Sequence, residues 1–133
     1  MKRVLIIEDE PPILKVLSDQ LTKEGVSVAT AVDGAAGLEL ALKTHPDIIL
    51  LDLILPVMHG LECLRKLRQD PWGRDVPVVV LSNLSDKRRI AEAEDLGVKE
   101  YLLKATIDPA TVSRKIMEHL AVLERQGKLP ASA

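Results

Sequence analysis

A fivefold alternation restricts the fold more than any other feature of the sequence. Five short apolar runs, at 4–7, 26–31, 48–51, 76–81 and 98–103, are each followed by a stretch whose apolar residues recur three or four apart. Several runs are continuous rather than alternating, the pattern of parallel strands covered on both faces. Ile13, Leu17 and Leu21 define a first helix, ended by Gly25; Leu38, Ala41 and Leu42 define a second, stopped before Pro46. Leu61, Leu64 and Leu67 mark a third, and Val112, Ile116, Leu120 and Leu123 a last one, opened by Asp108-Pro109. The segment 86–96 carries only Ile90 and Ala93 on its stripe, beside Lys87-Arg88-Arg89, so it reads as a helix weakly anchored to the core and able to move. Right-handed crossovers turn five such units into an α/β fold, (βα)5, with helices on both faces of one doubly wound, parallel five-stranded sheet.

At 133 residues the chain suits one domain, over 1–127, with residues 128–133 read as a short frayed tail. Charge excludes more than it suggests. The 18 Lys and Arg against 20 Asp and Glu leave a net −2, which argues against a broad electrostatic grip on nucleic acid or an anionic membrane. With no Phe, one Trp and one Tyr, base-stacking platforms and pockets for large flat cofactors have little to work with. The single cysteine, Cys63, forms no internal disulfide and sits among Leu61, Leu64 and Leu67 as packing; a reducing, cytoplasmic setting is expected. The first apolar run ends within a few residues at Glu8-Asp9, too soon for a secretory leader or a membrane span.

The polar residues that follow the runs carry the functional information. Glu8-Asp9 follow the first, Asp52 the third, Ser82 the fourth and Lys104 the fifth, while the second delivers no such group. In an open parallel sheet these positions share one edge, where ligands bind at a topological switch point. Three converging carboxylates resist ionising together unless a cation intervenes. Oxygen donors without His or Cys select a hard ion, and Mg²⁺, which takes few protein ligands, fits best. Lys104 would neutralise remaining charge and, with Ser82, hold the oxygens of a transferring phosphoryl group. Without a Gly-rich phosphate loop, this set describes phosphoryl transfer to a carboxylate.

The combination Glu8-Asp9, Asp52-Leu53-Ile54-Leu55-Pro56-Val57-Met58-His59-Gly60, Val80-Leu81-Ser82 and Tyr101-Leu102-Leu103-Lys104 resembles the receiver domain of two-component response regulators, of the CheY-like superfamily, over about residues 2–125. The resemblance implies a flavodoxin-like strand order, 2-1-3-4-5, and a stand-alone signalling module rather than an enzyme turning over a separate substrate. It implies that Asp52 is the phosphoacceptor, taking its phosphoryl group from the phosphohistidine of a sensor histidine kinase or phosphotransfer protein. Mg²⁺ would be held by Asp9, by Glu8 through water, by Asp52 and by the backbone carbonyl of Ile54. Ser82 and Lys104 would contact the phosphoryl oxygens, and Tyr101 is the switch aromatic. The surface of the last two helices and the last strand would change affinity for a downstream protein partner or for a second copy in a phosphorylation-dependent homodimer. No nucleic acid or membrane contact is implied.

Three positions depart from the family pattern: Ala105 follows Lys104 where a cis proline is usual, Asn83 follows Ser82 where a small residue is usual, and Ser82 stands for the commoner Thr. A non-proline cis bond costs ~2.5–4 kcal/mol, so the 104–105 bond is either trans with a rearranged loop or strained. Asn83 would partly cover the phosphoryl group and change its lifetime. Other classes stay on the table. A haloacid-dehalogenase-type phosphatase also uses an Asp nucleophile with Mg²⁺, but carries a second Asp where this chain has Ile54. A receiver fold could signal without phosphorylation. A flavodoxin-like FMN carrier would need a hydroxyl-rich loop where Glu8-Asp9-Glu10-Pro11 stand. His45, His59 and His119 show no ligand spacing and read as surface residues, and Trp72 should lie at the end of the sheet opposite Asp52.

Overall fold

The computed structural model describes residues 1–129. Its strands are β1 (Arg3–Ile7), β2 (Ser27–Ala31), β3 (Ile48–Leu51), β4 (Val78–Ser82) and β5 (Glu100–Leu103). They alternate with α1 (Pro11–Lys23), α2 (Gly34–Thr44), α3 (Gly60–Gln69), α4 (Lys87–Asp95) and α5 (Pro109–Arg125). All pairings are parallel and the sheet order is β2-β1-β3-β4-β5. The expected fold class is the observed one. Strand ends differ from the apolar runs because Pro77 precedes β4 and the Gly97 turn (φ 77°) absorbs the residues before β5.

The sheet separates two cores. Val4, Ile6, Ile48, Leu50 and Val79 point towards α1 and α5, where they meet Leu17, Leu21, Ile116 and Leu120. Leu5, Ile7, Ile49, Leu51 and Val80 point the other way, towards α2, α3 and α4, and meet Ala41, Leu61, Leu64 and Leu67. Alternate residues of one strand thus serve opposite faces, so β1, β3 and β4 are buried throughout and need continuous apolar sequence.

Helix starts follow their side chains. Asp33 accepts from Ala36 N at 2.7 Å, Asp108 from Thr111 N at 2.7 Å and Asp86 from Arg88 N at 2.8 Å. Helix α1 has no side-chain cap; Pro11 and Pro12 remove two of the donors a cap would serve. Gly37 lets α2 close on β1, since a Cβ there would lie 2.6 Å from Ile7 Cδ1.

The end of α5 departs from one expectation. Lys128 and Leu129, read as the start of a frayed tail, are held: Lys128 N donates to Leu123 O at 2.9 Å, and Leu129 packs on the α1–α5 core. The rest of that expected tail, 130–133, lies outside the described residues. His45 and His59 are exposed, as expected of surface residues, and His119 is half-buried. His45 ends α2 in the left-handed region (φ 50°) and stacks on Trp72 with centroids 4.2 Å apart, and His119 Nε2 lies 2.9 Å from Glu100. Trp72 sits at the amino ends of β3 and β4, opposite Asp52, as expected.

Candidate functional site

Parallel strands deliver their last residues to one edge, and the polar positions singled out in the sequence meet there. β1 runs into Glu8, which is 2 % exposed, β3 into Asp52, 4 % exposed, and β5 into Lys104. Two buried carboxylates need compensation. Lys104 Nζ lies 2.8 Å from Glu8 Oε1 and 2.8 Å from Asp52 Oδ2. The other Asp52 oxygen accepts from Ile54 N at 3.0 Å, so the carboxylate is gripped on both oxygens. Glu8 Oε2 also accepts from Glu10 N at 3.0 Å.

Asp9, exposed, completes the cluster. One carboxylate oxygen each from Glu8, Asp9 and Asp52 lies within 4.8 Å of the others. Glu10, which sequence reasoning passed over, adds a fourth acid: its Oε1 is 3.6 Å from Lys104 Nζ. Its adjacency to Glu8-Asp9 was the available signal. Since the prolines make capping unnecessary, the side chains of 8–10 turn to the site instead of the helix.

The electrostatics follow from burial. Burial pushes the Glu8 carboxyl above its ordinary range, against the opposing bond from Lys104. Burial alone would pull the Lys104 ammonium down, but its hydrogen bonds to Asp52 and Glu8 outweigh that and hold it above the usual lysine value. One cation against three clustered acids leaves excess negative charge at an open rim. An all-oxygen donor set with two buried members and one exposed fits a hard divalent cation that keeps water on its open side.

Ser82 is fully buried at the end of β4, and its hydroxyl accepts from Leu84 N at 3.2 Å. Among the described residues no hydrogen bond joins it to Asp52 or Lys104. The Tyr101 hydroxyl donates to Leu84 O. Leu84 therefore ties Ser82 to Tyr101 through its own peptide groups, a link invisible in the sequence. Burial, and after it the charge of Asp52, push the Tyr101 phenol above its ordinary value.

The loop between β3 and α3 is tightly drawn. Gly60 N donates to Leu53 O at 3.0 Å, and a Cβ on Gly60 would lie 2.3 Å from Asp52 O. Val57 has φ 67° within a γ-turn closed by Met58 N to Pro56 O at 2.7 Å, an unusual setting for a β-branched residue. Residues 104–106 form a single 3₁₀ turn, and no cis peptide occurs among the described residues, so the Lys104–Ala105 bond is trans. Asn83 is exposed beside Ser82, and Ile54 is half exposed above Asp52.

A parallel 2-1-3-4-5 sheet with an acidic oxygen-donor cluster and one buried lysine at its carboxyl edge defines the class: a flavodoxin-like domain with opposite charges gathered at the ends of its strands. The comparison with known proteins narrows it. Residues 4–116 match the response regulator receiver domain, and the chain belongs to that family, a signalling module of two-component systems. It is 36% identical over its whole length to the DNA-binding dual master transcriptional regulator RpaA of Synechocystis, and 35% identical over 126 residues to the response regulator ArlR of Staphylococcus aureus. The chain spans about half of those relatives, 54% of each. A CheY-like receiver domain from Methanospirillum hungatei superposes with TM-score 0.86 at 25% identity, covering 95% of this chain and 98% of that one. The receiver domain of sensor histidine kinase PA1611 from Pseudomonas aeruginosa, solved with a magnesium ion in its active site cleft, gives TM-score 0.77 at 27% identity over 88% of this chain and 95% of its own. No helix among the described residues is long and apolar enough to cross a membrane.

Proposed function

We propose that this receiver accepts a phosphoryl group on Asp52 from the phosphohistidine of a sensor kinase or phosphotransfer protein. An Asp52 oxygen attacks phosphorus, the P–N bond breaks as the P–O bond forms, and the imidazole leaves neutral, with the bond's electron pair on the freed nitrogen and the proton that the phosphohistidine already carried on its other ring nitrogen. The observation that supports this reading is the buried Asp52 carboxylate gripped by Lys104 at 2.8 Å and Ile54 N at 3.0 Å beside Glu8 and Asp9. Ile54 N orients the nucleophile, and Lys104 is placed to follow charge from the carboxylate to the phosphoryl oxygens. Glu8, Asp9, Asp52 and the Ile54 carbonyl would hold Mg²⁺, which when bound supplies positive charge to offset that of the carboxylates and the incoming phosphoryl group. Ser82 would leave Leu84 N for the phosphoryl group, releasing the loop that Tyr101 holds, and so alter the surface of α4, β5 and α5 for a protein partner. The domain turns over no separate substrate in this reading, and it acts in the cytoplasm, with its kinase.

Intact-mass spectrometry after incubation with Mg²⁺ and acetyl phosphate tests it. One added phosphoryl group is expected, absent without Mg²⁺ and absent in Asp52→Asn. Addition that persists in Asp52→Asn, or none on the wild type from both acetyl phosphate and a phosphorylated kinase, would overturn the assignment.

A further inference from the structure

The two outer strands of the sheet are treated differently. At β5, Glu100 is tied to Lys115 at 3.4 Å and to His119 at 2.9 Å, a charged cluster that guards the edge. At β2, residues 26–32 contain no charge, no proline and no glycine. β2 pairs only with β1, and Ser27, Ala29, Thr30 and Val32 are exposed. Ser27 N donates to Lys2 O at 2.8 Å, and Ala31 O accepts from Glu8 N at 3.0 Å. Odd-numbered residues therefore face β1, and in a parallel ladder the N–H and C=O of Val28 and Thr30 face outward, unpaired by any strand.

Beside this edge, β2 and α2 form a groove of ≈ 380 Å³ whose lining includes Val32, Ala36, Leu40, Glu39 and Lys43. Three oppositely charged i,i+4 pairs close on their helices, Lys15–Asp19, Glu62–Lys66 and Arg114–Glu118, whereas Asp19–Lys23 and Arg88–Glu92 do not. Glu39 and Lys43 have the same spacing, yet among the described residues neither has an ion-pair partner. A four-residue gap between unpaired opposite charges, astride an apolar groove, is self-complementary under a two-fold axis.

We propose that the β2 edge is a docking surface for a second copy of this chain, joined by antiparallel β2–β2 pairing about a two-fold axis at Ala29. In that register Val28 faces the second copy's Thr30, so the outward N–H and C=O groups of both are satisfied. Helix α2 touches both β1 and β2. Two strand spacings of ~4.8 Å then bring the α2 axes to about 10 Å, a helix-packing distance. Helix α2 descends ~1.5 Å per residue from the top of β2, so residues around Ala41 reach the level of Ala29. Glu39 of each copy is thereby set against Lys43 of the other. This contact lies away from the α4–β5–α5 surface and does not depend on phosphorylation.

Ala29→Cys tests the register directly. Opposed residues of a non-hydrogen-bonded antiparallel pair have Cα atoms ~4.5 Å apart, within disulfide reach, whereas Thr30 and its own copy would be more than ~7 Å apart. Native Cys63 is buried and its thiol is pushed up to about 12, so it does not compete. Under mild oxidation Ala29→Cys should give a covalent dimer, and Thr30→Cys should cross-link about tenfold more slowly. Adding Glu39→Lys to Ala29→Cys should slow cross-linking about tenfold, and adding Lys43→Glu as well should restore it. Cross-linking of Ala29→Cys no faster than that of Thr30→Cys, or indifferent to the charge swap, would overturn the proposal. A dimer seen by sedimentation in the absence of such cross-linking would place association on another face.

Discussion

The two ends of the sheet hold their polar groups in opposite ways. At the amino end they are matched. Arg68 donates to Val76 O at 2.7 Å, Gly73 O at 2.8 Å and Leu96 O at 2.7 Å, and Asp70 accepts from Trp72 N and Gly73 N at 2.9 Å. At the carboxyl end, Glu8, Asp9 and Asp52 crowd together, and one lysine, Lys104, pairs with Glu8 and Asp52 only among these three. Both ends are hydrogen-bonded, and no buried side-chain nitrogen or oxygen among the described residues lacks a partner. The difference lies in net charge. Matched groups hold the fold, whereas the carboxyl edge is left with an excess of one sign beside an open rim.

The largest break in that comparison should come from Lys104→Met. It leaves Glu8 and Asp52 buried without their cation, at a cost of about 3 kcal/mol near neutral pH by chemical denaturation. The pH profile should also change. The folded Lys104 value lies above that of the unfolded chain, so its contribution is fully present below about pH 10.5 and is lost as pH rises through the folded value. The variant should lack that alkaline loss. Glu8 is raised as well, so in the variant stability should recover as pH falls through its folded value towards 4.5. A profile identical to the wild type's would show that the buried cluster is not coupled as described.

Arg68→Met tests the other end. It strands carbonyls from two loops and should cost about 2 kcal/mol, while phosphoryl addition at Asp52 persists. Loss of phosphorylation in a folded Arg68→Met protein would contradict the separation of the two ends. Val57→Gly should raise the thermal midpoint, since the left-handed φ of 67° becomes unstrained and the Val side chain, 84 % exposed, gives up little packing; about 1 kcal/mol is expected. The smallest stability effect should come from Asp9→Asn. Relieving like-charge repulsion should stabilise the metal-free protein by about 0.5 kcal/mol while weakening Mg²⁺ at least about tenfold by calorimetric titration. A destabilised Asp9→Asn would mean that the exposed acid serves the fold instead.

The strands and four helices were legible because β1, β3 and β4 are buried on both faces and must be apolar throughout. Helix α4 was legible as the loose one for the same reason. Ala93 is its buried residue, and much of its hold comes from α3: Arg65 pairs with Glu92, and Arg68 with the Leu96 carbonyl at its end. Polar ties of that kind leave no period in the sequence. The stacking of His45 on Trp72 and the link from Ser82 through Leu84 to Tyr101 were hidden likewise, because each joins residues by shape rather than pattern.

What the sequence determined by itself is the identity of the edge: a parallel sheet sends every strand's carboxyl end the same way, so Glu8, Asp9, Asp52, Ser82 and Lys104 had to meet. Only the tertiary structure decided how they meet. Lys104 chooses Glu8 and Asp52 because those two are buried with it, Asp9 is left to the rim, and Ser82 is turned to its own loop. The choice among partners is set by burial and by angstrom-scale distances, and neither exists until both faces of the sheet are packed.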